Sequence, residues 1–113
     1  MKIYNRENFL KLPSGTIFCQ GEKWYWNQIS VKSDTFGNGN DFLFSGLTDI
    51  EANDSGGFFD ILGEMCHKGV SYPLDPEGYV RDGMYNEKAI FLVYEKEDLE
   101  ALIKIFQRAR DNE

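Results

Sequence analysis

The chain has 113 residues, of which 42% are hydrophobic and 15% are aromatic. This length suits one domain, and the aromatic content excludes a mainly disordered chain, because large rings bury enough area to offset the entropy lost on folding. The net charge of -7 disfavours polyanionic partners such as nucleic acid or an anionic membrane surface. We therefore predict a single domain over residues 1–113 that binds neither nucleic acid directly nor a membrane.

The negative charge is confined to the middle of the chain. Residues 34–87 hold eleven Asp and Glu against only Lys68 and Arg81, a formal charge of -9, while the remaining residues sum to +2. Because this many carboxylates cannot be buried without partners, the excess of acidic residues predicts one acidic surface or loop system. Such a surface would attract a basic partner.

The start of the chain and its cysteines predict a cytoplasmic location. The chain begins MKIYNRENF without an apolar segment, and no stretch approaches the roughly 20 apolar residues of a membrane span. Cys19 and Cys66 lie in apolar-leaning stretches with no further cysteine. We expect both to be reduced, small core residues.

The first part of the chain predicts a short helix and a β-hairpin. Asn5 is a good N-cap, and Pro13 disfavours helical geometry at the residue before it. These two signals indicate a helix over residues 5–12. A β-rich run follows over residues 16–20. The alternating pattern over residues 23–32 predicts the second strand, with one side formed by Trp24, Trp26 and Gln28. We expect the Trp26 ring to lie in the core.

The central part predicts a tight turn, a third strand and a helix. The sequence DTFGNGN over residues 34–40 is the strongest turn signal, because Gly and Asn adopt positive φ at little cost. A strand is predicted over residues 41–47, followed by a polar, acidic loop. The next helix is predicted from an apolar pattern with helical spacing and ends before Gly69; its apolar positions are Phe58, Phe59, Leu62, Met65 and Cys66.

The last part predicts a long loop, a central strand and the clearest helix. Residues 70–88 have no period, and loops this long tend to carry function. The apolar run over residues 89–94 predicts a strand covered on both faces. The helix over residues 97–110 has an apolar stripe of Leu99, Leu102, Ile103 and Phe106. These elements predict an α+β fold, in which a curled antiparallel sheet of about four strands has the two main helices on one face and a short N-terminal helix.

Metal and cofactor sites are disfavoured. Asp49, Glu51, Asn53 and Asp60 have the spacing of calcium-loop positions one, three, five and twelve, but position six is Asp54 where that loop needs Gly. Two Cys and one His fall one ligand short of a closed zinc site. We predict no metal and no cofactor.

Catalytic groups are equally sparse. Cys66 and His67 are adjacent on a helix and point about 100° apart, so they cannot act on each other, and a Cys19–His67 pair would need a third group to orient the imidazole. The Ser55-Gly56-Gly57 segment lacks the Lys of a phosphate site and has carboxylates around it. We predict that the protein is not an enzyme.

A protein interface is the favoured kind of site. Trp, Tyr, Met and Arg are enriched in protein interfaces, and the long loop combines them with an acid. The predicted contacts in this loop are Tyr79, Arg81, Asp82, Met84 and Tyr85. We add three carboxylates of the acidic loop, Asp49, Glu51 and Asp54, as charges that would draw in a basic partner.

Segments across the chain resemble a known class of protein. Residues 9–18 (FLKLPSGTIF) and 91–102 (FLVYEKEDLEAL), with Arg81-Asp82-Gly83 between them, are similar to short, acidic, uncharacterised proteins of bacteriophages and prophages. The resemblance implies a setting in the host cytoplasm. Small acidic phage proteins often bind and block host proteins, including CRISPR effectors, restriction enzymes and other defence components.

We therefore expect a non-enzymatic inhibitor that binds a basic or nucleic-acid-binding site of a host defence protein through its acidic surface, as a nucleic-acid mimic would. One alternative is a nucleotide-binding module that sequesters a signal, with aromatic stacking and phosphate contacts from Arg81 or Lys88. A third alternative is a metal-assisted hydrolase that uses the carboxylates between Asp49 and Asp60. The sequence leaves the oligomeric state open.

Overall fold

The computed structural model describes residues 1–50, 52 and 55–112. Within those residues it is an α+β fold with an antiparallel sheet and three helices, which confirms the predicted class. The sheet has six strands, not about four, and it is not strongly curled, so the predicted strand number and curvature are wrong.

The elements follow one another as β1, α1, β2, β3, β4, α2, β5, β6 and α3. The strands are β1 Lys2–Asn5, β2 Ile17–Glu22, β3 Tyr25–Phe36, β4 Asp41–Gly46, β5 Val80–Arg81 and β6 Ile90–Val93. The helices are α1 Arg6–Phe9, α2 Ser55–Lys68 and α3 Lys96–Asp111. The strand order in the sheet is β1-β6-β2-β3-β4-β5.

Local signals fix several element ends as the sequence predicts. The Asn5 side chain accepts a 2.9 Å hydrogen bond from the Asn8 amide and caps α1. Gly69 follows α2 with a φ of 65°, which an L side chain rarely adopts. The turn between β3 and β4 is confined to residues 37–40, because β3 continues to Phe36.

Two strands were not predicted, and they explain the larger sheet. β1 pairs with β6 from Lys2 opposite Val93 to Asn5 opposite Ile90. β5 pairs with β4 through only two residues, Val80 and Arg81. β6 therefore lies between β1 and β2, in the interior of the sheet. Buried and half-buried residues alternate along it, so only one of its faces is fully covered, where the sequence predicted both.

The core is a cluster of phenylalanine rings on one face of the sheet. Phe9 of α1 stacks on Phe91 of β6 with ring centroids 4.0 Å apart, and Phe18 and Phe42 pack around this pair. All four side chains are almost completely buried. α1 thus covers this part of the sheet. A single helical turn is enough because its Phe9 ring fills the centre of the phenylalanine cluster.

The two long helices do not cover the sheet as predicted. Neither α2 nor α3 has a buried residue among those described. No Cα atom of either helix lies within 8 Å of a Cα atom in another described helix or strand. No helix of the described residues is long and apolar enough to cross a membrane.

Candidate functional site

A cleft of about 570 Å³ lies between α2 and the segments that precede it and that lead into β5. We call it the acidic–aromatic cleft, and its lining residues are Asp49, Ile50, Ala52, Ser55, Phe58, Phe59, Asp75, Gly78, Tyr79 and Val80. It brings together residues that are up to 31 positions apart in sequence, Asp49 and Val80.

Backbone pairing builds the cleft. Ile50 and Leu74 form an antiparallel β-bridge, and the Asp75 amide donates a 2.7 Å hydrogen bond to the Asp49 carbonyl. This contact holds the two carboxylate-bearing segments side by side. β5 then joins Val80 to the edge of the sheet through its pairing with Phe44. Both walls opposite α2 are therefore fixed to the sheet.

The apolar side chains of the cleft are accessible. Phe59 in the first half of α2 is 68% exposed, and Tyr79 and Val80 on the other wall are also exposed. Phe58 is half-buried and meets Phe59 edge-to-face, with ring centroids 5.9 Å apart. An exposed ring that already packs against a half-buried neighbour suits an anchor for a partner, because little side-chain entropy remains to be lost on binding.

The charge of the cleft is negative. Asp49 and Asp75 are the charged side chains among its described lining residues. Neither forms an ion pair with a described residue, although Asp49 accepts a 3.0 Å hydrogen bond from the Gln28 side-chain amide. Two carboxylates without a cation beside them create a negative potential that attracts a positive group.

The cleft contains two of the predicted contact residues, Asp49 and Tyr79. Glu51 and Asp54, also predicted as contacts, lie outside the described residues. Phe58 and Phe59 were predicted as the apolar face of a helix and not as part of a site. The sequence held one signal that these rings belong to a site. Two consecutive rings on a helix cannot both face a core, so one of them had to be exposed beside the acidic loop and Ser55.

Three other predicted contacts, Arg81, Asp82 and Tyr85, belong to a separate cluster that bonds to β4 and α1. Arg6 Nη1 lies 2.9 Å from Asp82 Oδ2, and their side chains are only 9% and 3% exposed. Arg81 Nε lies 2.5 Å from Asp41 Oδ2, and the Arg81 guanidinium also donates to the Tyr85 hydroxyl. Arg81 and Asp82 thus tie the long loop to β4 and α1, which is a structural task.

Buried Asp41 is the centre of this cluster. Burial acts to raise the pKa of Asp41, but hydrogen bonds from Arg81 and from the Gly83 and Phe42 amides outweigh it and lower the pKa below its ordinary value. Asp41 is therefore ionised at neutral pH. Met84, in the same loop, is largely exposed.

A second cleft, of about 560 Å³, borders the cluster and includes Arg6, Glu7, Tyr85 and Glu87 in its lining. Arg6 is the cation that could hold a phosphate there. Its guanidinium already donates to Asp82 and to the Asn40 carbonyl, at 2.9 and 2.8 Å. Arg6 is therefore a weaker phosphate ligand than an unpaired arginine would be, because the phosphate of a nucleotide would have to displace the Asp82 carboxylate.

The groups considered for catalysis lie apart. Cys19 is buried with its sulfur 3.4 Å from the Tyr94 hydroxyl, a contact that, with burial, raises the pKa of Tyr94 to about 12. His67 lies at the exposed end of α2. Cys66 is also exposed there, so the prediction that it is a core residue is wrong. In the part of the chain that the structure describes, no three His, Cys, Asp or Glu side chains are grouped to hold a metal ion.

The tip of the β2–β3 hairpin carries a second exposed aromatic group, formed by Trp24, Tyr25 and Trp26. Trp24 is 85% exposed, with Lys23 Nζ 5.1 Å from its ring centroid, and Trp26 is 42% exposed. The expectation of Trp26 in the core is wrong, because this end of β3 extends beyond β4 and pairs with β2 alone. The two-strand tip has no layer to pack against among the described residues.

Comparisons with protein-family models, with curated proteins and with solved structures find no match for this chain.

Proposed function

We propose that this protein is a non-enzymatic binding domain that docks a basic surface of another protein in its acidic–aromatic cleft. The observation that supports this proposal is the placement of exposed Phe59 and Tyr79 beside two carboxylates that have no cationic partner among the described residues. Protein interfaces combine such features, because aromatic anchors supply affinity and unpaired charges supply rate and specificity.

The partner's chemistry follows from the lining. A Lys or Arg side chain would reach Asp49 and Asp75, while its aliphatic stem or a neighbouring apolar residue would cover Phe59. The confined charge of -9 over residues 34–87 would add long-range attraction. A basic site that normally holds nucleic acid has these properties, and a phage-encoded inhibitor of a host defence protein would use the surface in this way.

The experiment compares three baits in quantitative affinity capture from bacterial lysate. The baits are the wild type, the Asp49→Asn/Asp75→Asn variant and the Phe59→Ala variant. We expect a captured basic protein to be lost from both variants, and its association rate with the wild type to fall about tenfold or more as salt rises from 50 to about 500 mM. The double neutralisation should weaken this salt dependence, because it removes the exposed charges nearest the anchors.

The matched control is Glu7→Gln/Glu87→Gln, which removes two exposed carboxylates that line the second cleft. It should retain the partner. A partner that binds the double-Asn variant and the Phe59→Ala variant as it binds the wild type would contradict the proposal and place the interface elsewhere, with the Trp24 hairpin tip as the next surface to vary.

A further inference from the structure

Helix α3 presents an apolar face that the described chain covers only in part, with Leu99 and Leu102 half-buried and Ile103 and Phe106 exposed. Leu99, Leu102, Ile103 and Phe106 recur at the spacing that places side chains on one face of a helix. None is buried, and Phe106 is 65% exposed. No Cα atom of another described helix or strand lies within 8 Å of a Cα atom in α3. An amphipathic helix in water normally places such a face against a second surface.

The charges along α3 indicate what that second surface is. Residues 95–100 sum to -3, with Glu95, Glu97, Asp98 and Glu100 against Lys96. The Met1 ammonium lies 3.2 Å from Glu95 and 2.7 Å from Asp98 and offsets one of these charges, so the end remains negative. Residues 104–111 sum to +2, with Lys104, Arg108 and Arg110 against Asp111. The helix is therefore negative at its amino end and positive at its carboxyl end, with the apolar stripe between the two ends.

We propose that α3 pairs antiparallel with α3 of a second copy of this chain and forms a twofold-symmetric dimer. Antiparallel pairing brings each acidic end against the partner's basic end, whereas parallel pairing would place like charges together. If the twofold axis passes between Leu102 and Ile103, the middle of the stripe, Glu95 of one copy faces Arg110 of the other. The same patch serves both copies, so the interface closes as a dimer.

The size of the face sets the expected strength. A helix of 16 residues is about 24 Å long, and its apolar stripe spans little more than two turns. Such a contact is smaller than the roughly 800 Å² per partner of a stable protein interface. We expect association in about the micromolar range, so that the monomer and dimer exchange.

Sedimentation equilibrium of the full chain tests the proposal. The apparent mass should rise from 13.1 kDa toward twice that value as concentration increases from about 1 to about 100 µM. Phe106→Glu should raise the dissociation constant at least about tenfold, because it places a charge in the apolar contact. Ala101→Glu adds the same charge to exposed Ala101, about 200° around the helix from Leu99, and should change the constant by less than about threefold.

Disulfide trapping tests the antiparallel direction. In a Cys66→Ser background, mild oxidation should cross-link Ile103→Cys, which lies near the proposed axis, but not Arg110→Cys, whose equivalent would be at the far end of the partner helix. Cross-linking of Arg110→Cys would overturn the antiparallel arrangement.

Two outcomes of sedimentation would overturn the dimer itself. A wild type that stays monomeric over the whole range would leave the stripe to a different protein or to another segment of this chain. A dimer that Phe106→Glu does not weaken would place the contact between copies on another surface. Circular dichroism of each variant shows whether α3 is still helical.

Discussion

At the scale of single residues, the Arg6–Asp82 pair explains how the chain that follows β5 keeps a fixed position. Asp82 is 76 positions from Arg6, and its carboxylate meets the guanidinium where both are nearly excluded from solvent. The same guanidinium lies 5.6 Å from the Phe42 ring centroid and 5.7 Å from that of Tyr85. One arginine therefore connects the core, β4 and the long loop, and its position indirectly fixes β5 at the wall of the acidic–aromatic cleft.

The pH dependence of stability should report on Asp41. Its pKa in the folded protein is lower than its ordinary value of 3.8, so the folded state binds this proton less tightly than the unfolded state. The stabilisation is present above the unfolded pKa and is lost as pH falls through the folded pKa. We expect the free energy of unfolding in urea to fall between about pH 5 and pH 2.

Asp41→Asn provides the comparison for this prediction. At pH 7 the variant should be less stable by about 1 to 3 kcal/mol, because charged hydrogen bonds to Arg81 and to the Gly83 amide become weaker. The difference from the wild type should shrink as pH falls through the lowered pKa of Asp41, since the wild-type carboxyl then takes up its proton. Parallel urea curves with the same difference throughout this fall in pH would show that Asp41 is not the titrating group.

The sequence predicted the residues of the clefts only in part, and the reason is physical. Asn5 was recognisable as a cap because capping depends on neighbours within one turn. Arg81 and Asp82 were predicted as contacts for a partner, but within the chain they pair with Asp41 and Arg6, which are 40 and 76 positions away. Whether a charge is paired depends on such long-range placement, which local sequence does not contain.

At the scale of elements, the β2–β3 hairpin has a buried base and an exposed tip. Phe18 of β2 is in the core, whereas Trp24, Tyr25 and Trp26 are exposed. Gly21 allows the strands to approach at an irregularity in the pairing, since an added Cβ atom would lie 2.0 Å from the Tyr25 carbonyl oxygen. The tip is therefore held in place by backbone pairing more than by packing of its rings.

Two truncations in the sheet should separate these parts. Phe91→Ala should lower the free energy of unfolding by about 3 to 5 kcal/mol, because it removes a fully buried ring that stacks on Phe9. Trp26→Ala should cost less than about 1.5 kcal/mol, because its ring is partly in solvent. Chemical denaturation measures both changes. A decrease in the free energy of unfolding for Trp26→Ala as large as that for Phe91→Ala would show that the Trp26 ring is buried in the core.

The helices and the longer strands were predictable because their signals are local periods and turn residues. β1 was missed because its four residues, KIYN, have no period of their own and become a strand only by pairing with β6, more than 80 positions away. The position of α3 was missed for a different reason. Its apolar stripe indicates that the helix has a partner, but the pattern is the same whether that partner is the sheet or another molecule.

At the scale of the whole molecule, the two long helices make the protein larger than a compact chain of its length. Its radius of gyration is 15.9 Å, against roughly 13 Å for a compact domain of 113 residues. The excess agrees with helices that lack buried residues. It also leaves two separate surfaces, the acidic–aromatic cleft beside α2 and the apolar face of α3, so that binding a partner and pairing with a second copy need not compete.

A dimer through α3 would carry two copies of the acidic–aromatic cleft, and this predicts an effect of partner density. On a surface coated densely with the partner protein, both clefts of one dimer can engage, and the second contact forms at a high effective concentration. Dissociation of the wild type should then be about tenfold or more slower than that of Phe106→Glu, whereas on a sparse surface the two rates should agree.

Ala101→Glu should follow the wild type at both densities. Biolayer interferometry at two coating levels measures these rates. Equal dissociation of the wild type and Phe106→Glu on the dense surface, under conditions where the wild type is dimeric, would mean that the twofold axis points the two clefts in directions that one surface cannot satisfy.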